Sequence, residues 1–346
     1  MPIDDLITRS LRIETCYGSM RPAKVVGLDG RGPRPGGLRN APLKMLGLAG
    51  PLGTRSGVFA DVPDIFYGNP NDECVWNAIP AAAPEPIVIA LATAQEMALT
   101  LTTGYEGEGG KAMNYQSLGD NFDGQGMSFG LIQWNFGQNT LGPLLLKMLN
   151  ADATAFEACF GKGTDFATLK TALEGSKQAD QLAWTAAAIK TNRLAWQSAF
   201  RAVGANDTFN RIQREQAAGQ YHPIVVNSVE SLRGISPNLM KTIEFRSYAA
   251  LFDTAVQQNG TVAAAAAIKA RVTKEKPTTQ IELLKIAVTE RARKANDRWV
   301  ADCMSRRLGL LAGEAVKATE HEITATRNNP GFSLIASYGT ANVAGF

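Results

Sequence analysis

The sequence predicts a mainly α, α+β fold: a large helical domain with one small non-helical insert near its front, preceded by an irregular arm. Three observations carry this. Helical periodicity recurs from about residue 84 to residue 311; a single glycine- and polar-rich stretch interrupts it at 104–135; and residues 27–57 show no periodicity at all. The chain's 346 residues are too many for one simple helical bundle and suit one large domain with an appendage. With 45% apolar and 19% charged residues it can build a core, which excludes global disorder.

Residues 1–83 form the expected arm. The stretch GLDGRGPRPGGLRNAPLKMLGLAGPLGTRSG is dominated by glycine, proline and basic side chains (Arg31, Arg34, Arg39, Lys44, Arg55). Such a segment buries too little apolar surface to offset its ordering entropy. It reads as a linker or surface wrap, or as a docking arm for a larger assembly.

Residues 84–327 form the expected domain. Ile87, Leu91, Ala94, Ala98 and Leu101 recur at three- and four-residue steps, with Gly104 at the expected stop. Helical patterns return at 141–149, 179–203 and 209–221, the last closing at Tyr221 and His222, and again at 239–259 and 262–272. Thr279 and Glu282 have capping-box spacing and open a helix to about Arg293; 297–311 is the last. Residues 328–346 are weakly patterned and read as a C-terminal tail.

Several function classes fall away. The most apolar stretch, 87–101, is broken by Thr93, Gln95, Glu96 and Thr100 and is shorter than the roughly 20 residues a bilayer needs. A formal charge of +3 is too small for a nucleic-acid binder. The four cysteines (Cys16, Cys74, Cys159, Cys303) form no CxxC, and His222 and His321 are the only histidines, so neither a metal site nor a histidine triad is expected. No cofactor is expected either. Scattered thiols suit a reducing compartment, with a single Cys16–Cys74 disulfide left open. The opening MPIDDLITRSLRIETC has no apolar h-region, which predicts no ordinary secretory signal.

The chemistry concentrates in the insert. Glu106 lies two residues past Gly104, and Asp123 follows seventeen residues later in a glycine-rich turn. A carboxyl at a helix end beside Tyr105 and Leu101 has reason to keep its proton, whereas one in a polar turn stays ionised. Two carboxyls in opposed environments are what glycosidic cleavage requires. Residue types alone would equally admit Glu108 or Asp120. A calcium loop starting at Asp120 is disfavoured, because Phe122 stands where an oxygen ligand should be and no Glu closes the twelve-residue loop.

The run Asn121-Phe122-Asp123-Gly124-Gln125-Gly126-Met127-Ser128-Phe129-Gly130-Leu131-Ile132-Gln133-Trp134-Asn135 resembles the hallmark of peptidoglycan-associated proteins with a lysozyme-like domain, relatives of the chitosanase-type glycoside hydrolases. Residues 250–260, ALFDTAVQQNG, resemble the same family's "ALxFDxAVQNG" helix, and 299–313, with Arg306-Arg307, its late "DxxxRKxxIAxG" segment. The blocks span roughly residues 90 to 320 in the family's order.

The resemblance implies a two-lobed lysozyme-like, chitosanase-like helical fold with the acid at a helix end and the second carboxylate on a small β-hairpin. It implies Glu106 as general acid, Asp123 as general base and Ser128 as the hydroxyl that holds the attacking water. Gln125 stands where chitosanases carry Arg, and Glu108 is an extra acid; both bear on substrate. Gln125, Gln133, Trp134 and Asn135 are candidate substrate contacts, while Trp184, Trp196 and Trp299 are expected in the core.

Phe245, Ala249 and Asp253 share a helical face, so Asp253 is expected inward, satisfied by Arg298, Arg306 or Arg307. The resemblance makes it part of an ionic network supporting the acid. The expected activity is muramidase-like cleavage of peptidoglycan, with chitosan hydrolysis or a non-catalytic wall-binding or baseplate role as alternatives. Expected partners are peptidoglycan glycan strands, a tail, spike or secretion-apparatus component docked through residues 1–83, and an immunity protein. The protein is expected to be made in the cytoplasm and to act at the cell wall after non-classical export, or within a virion or injection particle.

Overall fold

The computed structural model describes residues 12–14, 20–22, 87–106, 112–119 and 126–346, the first two segments and Glu106 as backbone. The chain divides into two units, Met1–Pro86 and Ile87–Phe346. The N-terminal unit is not wholly irregular: β1 (Arg12–Glu14) pairs antiparallel with β2 (Met20–Pro22), with Ile13 opposite Arg21.

The second unit is mainly helical, as the periodicity predicts. In chain order it contains β3 (Val88–Ile89), α1 (Leu91–Glu106), β4 (Leu118–Gly119), β5 (Ser128–Phe129), β6 (Trp134–Asn135), α2 (Leu141–Ala151), α3 (Ala153–Ala158) and α4 (Phe166–Glu174). Then follow α5 (Gln178–Ala205), α6 (Asp207–Ile235), α7 (Phe245–Gln258), a 3-10 turn at Val262–Ala264, α8 (Ala265–Glu275), α9 (Gln280–Ala292), α10 (Asp297–Ala312), β7 (Lys317–Glu320), β8 (Ile323–Thr326), α11 (Phe332–Tyr338) and β9 (Asn342–Val343). No helix among the described residues is long and apolar enough to cross a membrane.

Helix α7 is the axis of the unit. In its sequence, FRSYAALFDTAVQQ, the residues from Ser247 to Ala255 are buried in unbroken succession, most of them small or apolar, so every side of this stretch is enclosed. Helices α1, α6, α9 and α10 enclose it. A second group, α2 to α5, packs through an aromatic cluster in which Phe156, Phe160, Phe166, Trp196 and Phe200 meet. Helix α6 touches both groups, so one continuous core runs through them.

Four expectations need correction here. Helix α1 does not stop at Gly104; it runs on to Glu106, and Gly104 is a contact point for another segment. Helix α6 does not close at Tyr221 and His222. It passes through Pro223 because the turns beyond it bury Val225, Val229 and Leu232. The packing of those turns outweighs the lost backbone bond.

The expected hairpin is a three-stranded antiparallel sheet, since β4 adds to β5 and β6. Finally, 328–346 is no loose tail. Its β9 pairs in parallel with β3, Ile335 and Val343 are buried, and Phe346 packs against the rings of His222 and Tyr248.

Candidate active site

Glu106 is the last residue of α1, and the turn that presents it is held from several directions. The preceding residue, Tyr105, is buried. Its hydroxyl donates to the Arg306 carbonyl at 3.0 Å, and its ring lies under two guanidiniums, Arg306 at 4.6 Å and Arg327 at 5.9 Å. Burial and the nearby Asp253 charge raise the Tyr105 pKa, against the pull of Arg306 and Arg327, so the phenol keeps its proton. The Tyr105 carbonyl, which no later turn of α1 can satisfy, accepts a bond from Arg327 Nη2 at 2.9 Å. Cationic donors at a helix C-terminus also favour the macrodipole.

Beneath this turn lies the ionic centre. Asp253 on α7 is fully buried; Arg306 Nη2 donates to its Oδ1 at 2.6 Å, and Arg307 Nε approaches Oδ2 at 3.5 Å. Arg307 also donates to Gln258 Oε1. Burial lowers the Arg307 pKa, and the Asp253 charge opposes the shift. Arg298 does not take part. It sits in the exposed first turn of α10 with its guanidinium over the Trp299 ring. Trp299 itself is about half exposed rather than a core residue. Trp184 and Trp196 are buried and meet edge to face.

The small sheet forms the other part. Its register sets Gly119 opposite Ser128 and Ser128 opposite Asn135, while Leu118, Phe129 and Trp134 form the adjacent row. Side chains of one cross-strand row share a face, so the sheet has a Ser128/Asn135 face and a Phe129/Trp134 face. The second face is the core face. Phe129 is fully buried, and Trp134 is only 2% exposed, with its indole N–H directed at Gln220 on α6.

Trp134 therefore offers no ring to a sugar, contrary to the expectation from its position. Strand alternation was the signal: adjacent residues 134 and 135 cannot face the same way. Asn135 is half-buried, and its side-chain oxygen accepts from the Gln138 N–H, closing a local turn.

Ser128 is half-buried and donates its hydroxyl proton to Gln133 Oε1 at 2.7 Å. The Gln133 amide is oriented by its own bond to the Gly130 carbonyl, Nε2 donating at 3.2 Å. Ser128 thus keeps its lone pairs for an incoming donor. Helix α6 pins the sheet from behind. The fully buried Gln213 accepts from the Leu131 N–H at 3.0 Å, and Arg214 donates to the Tyr115 hydroxyl at 2.7 Å. Asp123 and Gln125, with Glu108 and Asp120, lie outside the described residues. Among the described residues no three His, Cys, Asp or Glu side chains gather as a metal site would require.

Two residues near the acid were missed in the sequence: Arg327, which also bonds Asp302 at 2.5 Å, and Asn329, which bonds the Leu101 carbonyl at 2.7 Å. Both lie more than 220 positions from their α1 partners, and no local spacing signals them.

No family model and no curated protein matches the sequence. Among solved structures, the chain is similar to the native chitosanase of Bacillus subtilis MY002, at 15% identity over 68% of this chain and 98% of that one, with a TM-score of 0.43. A mutant of the Bacillus subtilis MY002 chitosanase complexed with 6 GlcN gives 13% identity, 68% and 99% coverage, and a TM-score of 0.43. The chitosanase of Gynuella sunshinyii in complex with chitotetraose gives 13% identity, 67% and 96% coverage, and a TM-score of 0.42.

Proposed function

We propose that this chain is a lysozyme-like glycoside hydrolase that cleaves the β-1,4-linked glycan of peptidoglycan. Glu106 protonates the leaving oxygen, Asp123 activates water, and Ser128 helps hold that water, with inversion at the anomeric carbon. The observation that carries this reading is the support of the α1 terminus. A buried aspartate–arginine centre holds Tyr105, the residue before Glu106, with the phenol on the Arg306 carbonyl and the arginine over the ring. Burying Asp253, Arg306 and Arg307 together is costly for stability alone, and a device that fixes the helix end is a reason to retain them. The Ser128 hydroxyl, committed as a donor to Gln133, supplies an acceptor for one water proton while a base removes the other.

Peptidoglycan is favoured over chitosan on charge. A polycation calls for an acidic protein, and this chain carries +3. Delivery by a phage particle or a contractile injection or secretion apparatus would bring the enzyme to the wall, with residues 1–83 as the docking arm and an immunity protein guarding the producer. The test is to digest purified peptidoglycan and chitosan separately and identify new reducing ends by mass spectrometry. Muramic acid ends support the reading; ends from chitosan alone make the chain a chitosanase; no ends from either leave a wall-binding or baseplate component.

A further inference from the structure

The segment after β8 holds the turn that presents Glu106. Asn329 is buried at 3% exposure, with both ends of its side chain in use. Its Nδ2 donates to the Leu101 carbonyl at 2.7 Å, and its Oδ1 accepts from the Gly331 N–H at 2.8 Å. The amide lies directly on the backbone of α1: a Cβ at Gly104 would stand 2.8 Å from Asn329 Oδ1 and 3.1 Å from Nδ2. Two residues earlier, Arg327 bonds the Tyr105 carbonyl while anchored to Asp302, and its N–H donates to Ser305 Oγ at 2.8 Å. At the other end of α1, the entering strand β3 is paired with β9 of the same segment, Val88 opposite Asn342. One stretch of chain therefore grips α1 both before its first turn and along its last.

We propose that Asn329 is a positioning residue for the acid. Seated against Gly104 and backed by Arg327, it fixes where the α1 terminus places Glu106. The inference rests on the glycoside hydrolase reading given above. It also accounts for Gly104, which is neither a helix stop nor a turn: glycine is required there because the Asn329 amide occupies the space a side chain would take. A misplacement on the order of 1 Å of a reacting group costs roughly 10²-fold in rate. A loosened helix end should therefore be read in turnover before it is read in folding.

The experiment uses the full chain with Asn329→Ala, Gly104→Ala and the double variant. In Asn329→Ala, amide exchange at residues 101–106 should accelerate at least tenfold while α7 stays protected. On the glycan substrate, kcat should fall roughly tenfold or more with KM nearly unchanged, and the basic limb of the kcat–pH profile should move. Gly104→Ala should behave similarly, because its methyl group displaces the amide. In the double variant the smaller residue 329 leaves room for that methyl, so the combined loss should be less than the product of the two single losses.

Unchanged exchange at 101–106 in Asn329→Ala overturns the proposal. So does a kcat loss that only tracks the unfolded fraction with an unmoved pH profile, or strict multiplicativity in the double variant. If the wild-type chain turns over no glycan, it is the hydrolase reading that fails; the exchange data and melting temperatures of the same three variants then decide whether Asn329 sets the helix end.

Discussion

Asp253 and Arg306 meet at 2.6 Å with almost no exposure, 0% and 2%, and they do so beneath the ring of the residue that precedes Glu106. Neither charge has water to fall back on. Removing the carboxylate takes away the buried negative charge that Arg306 and Arg307 share. Asp253→Ala should therefore cost about 3–5 kcal/mol of stability, as breaking one side of a buried ion pair does. Denaturant melts of the two proteins check this. A wild-type midpoint with lost turnover would instead make Asp253 a participant in the reaction.

His222 gives a pH dependence whose sign is fixed. Its Nδ1 lies 3.2 Å from the Tyr248 hydroxyl, and burial keeps Tyr248 protonated by raising its pKa. The phenol can donate to the neutral ring only. Burial lowers the His222 pKa below the ordinary value of 6.5. As pH falls through about 6.5, the unfolded chain takes up this proton before the folded one does. The contribution is present above that pH and is lost as pH drops toward the lower folded value. The melting temperature should fall between pH 7.5 and pH 5, and part of that fall should be absent in His222→Gln. Circular dichroism melts at the two pH values read both effects.

The longer helices were legible from apolar residues at helical spacing, whereas the short α3 (Ala153–Ala158) and α4 (Phe166–Glu174) were not read in the sequence. At α9 even the cap was readable, and both reciprocal bonds of the Thr279/Glu282 capping box are present. What failed to show in the sequence are features set by distant chain. Pro223 looks like a terminus, and only the packing of Val225 and Val229 carries the helix past it. The segment 328–346 holds a seven-residue helix and a two-residue strand, too short for any period to emerge. The inward turn of Asp253 could be read from the face it shares with Phe245 and Ala249. Its partners could not be narrowed below three arginines, because the rotation of α10 about its axis depends on what packs there.

Gln213 joins α6 to the sheet. It is fully buried, bonds the Leu131 N–H at 3.0 Å, and would stand 2.5 Å from a Cβ at Gly130. Gln213→Leu preserves the approximate volume and removes the acceptor, which leaves a buried N–H without a partner at a cost of about 1–3 kcal/mol. The loss should be local first. Amide exchange at Leu131 should speed up in the variant while α7 remains protected, and turnover should fall with the order of the Ser128 face. A variant with wild-type exchange at Leu131 would show that the sheet is held by β-pairing alone.

The last prediction is stereochemical. Ser128 donates its proton to Gln133 Oε1, and the Gly130 carbonyl fixes that amide, so the serine oxygen is left as an acceptor. Such an acceptor suits a water molecule whose one proton faces the serine while the other goes to a base. A water between base and sugar needs the two carboxyl groups about 6.5–9.5 Å apart, against roughly 5–5.5 Å for a carboxylate that attacks the sugar directly. Inversion is the expected outcome. Glu106→Gln should abolish turnover with the fold intact, since an amide cannot protonate the leaving oxygen. Asp123→Asn should remove most activity. Ser128→Ala should cost less, because a water can partly orient itself, and Ser128→Thr should restore what the alanine loses. Proton NMR of the first-formed product gives the anomer directly. A retained anomer, or full activity in Glu106→Gln, would refute the assignment of the two carboxyls.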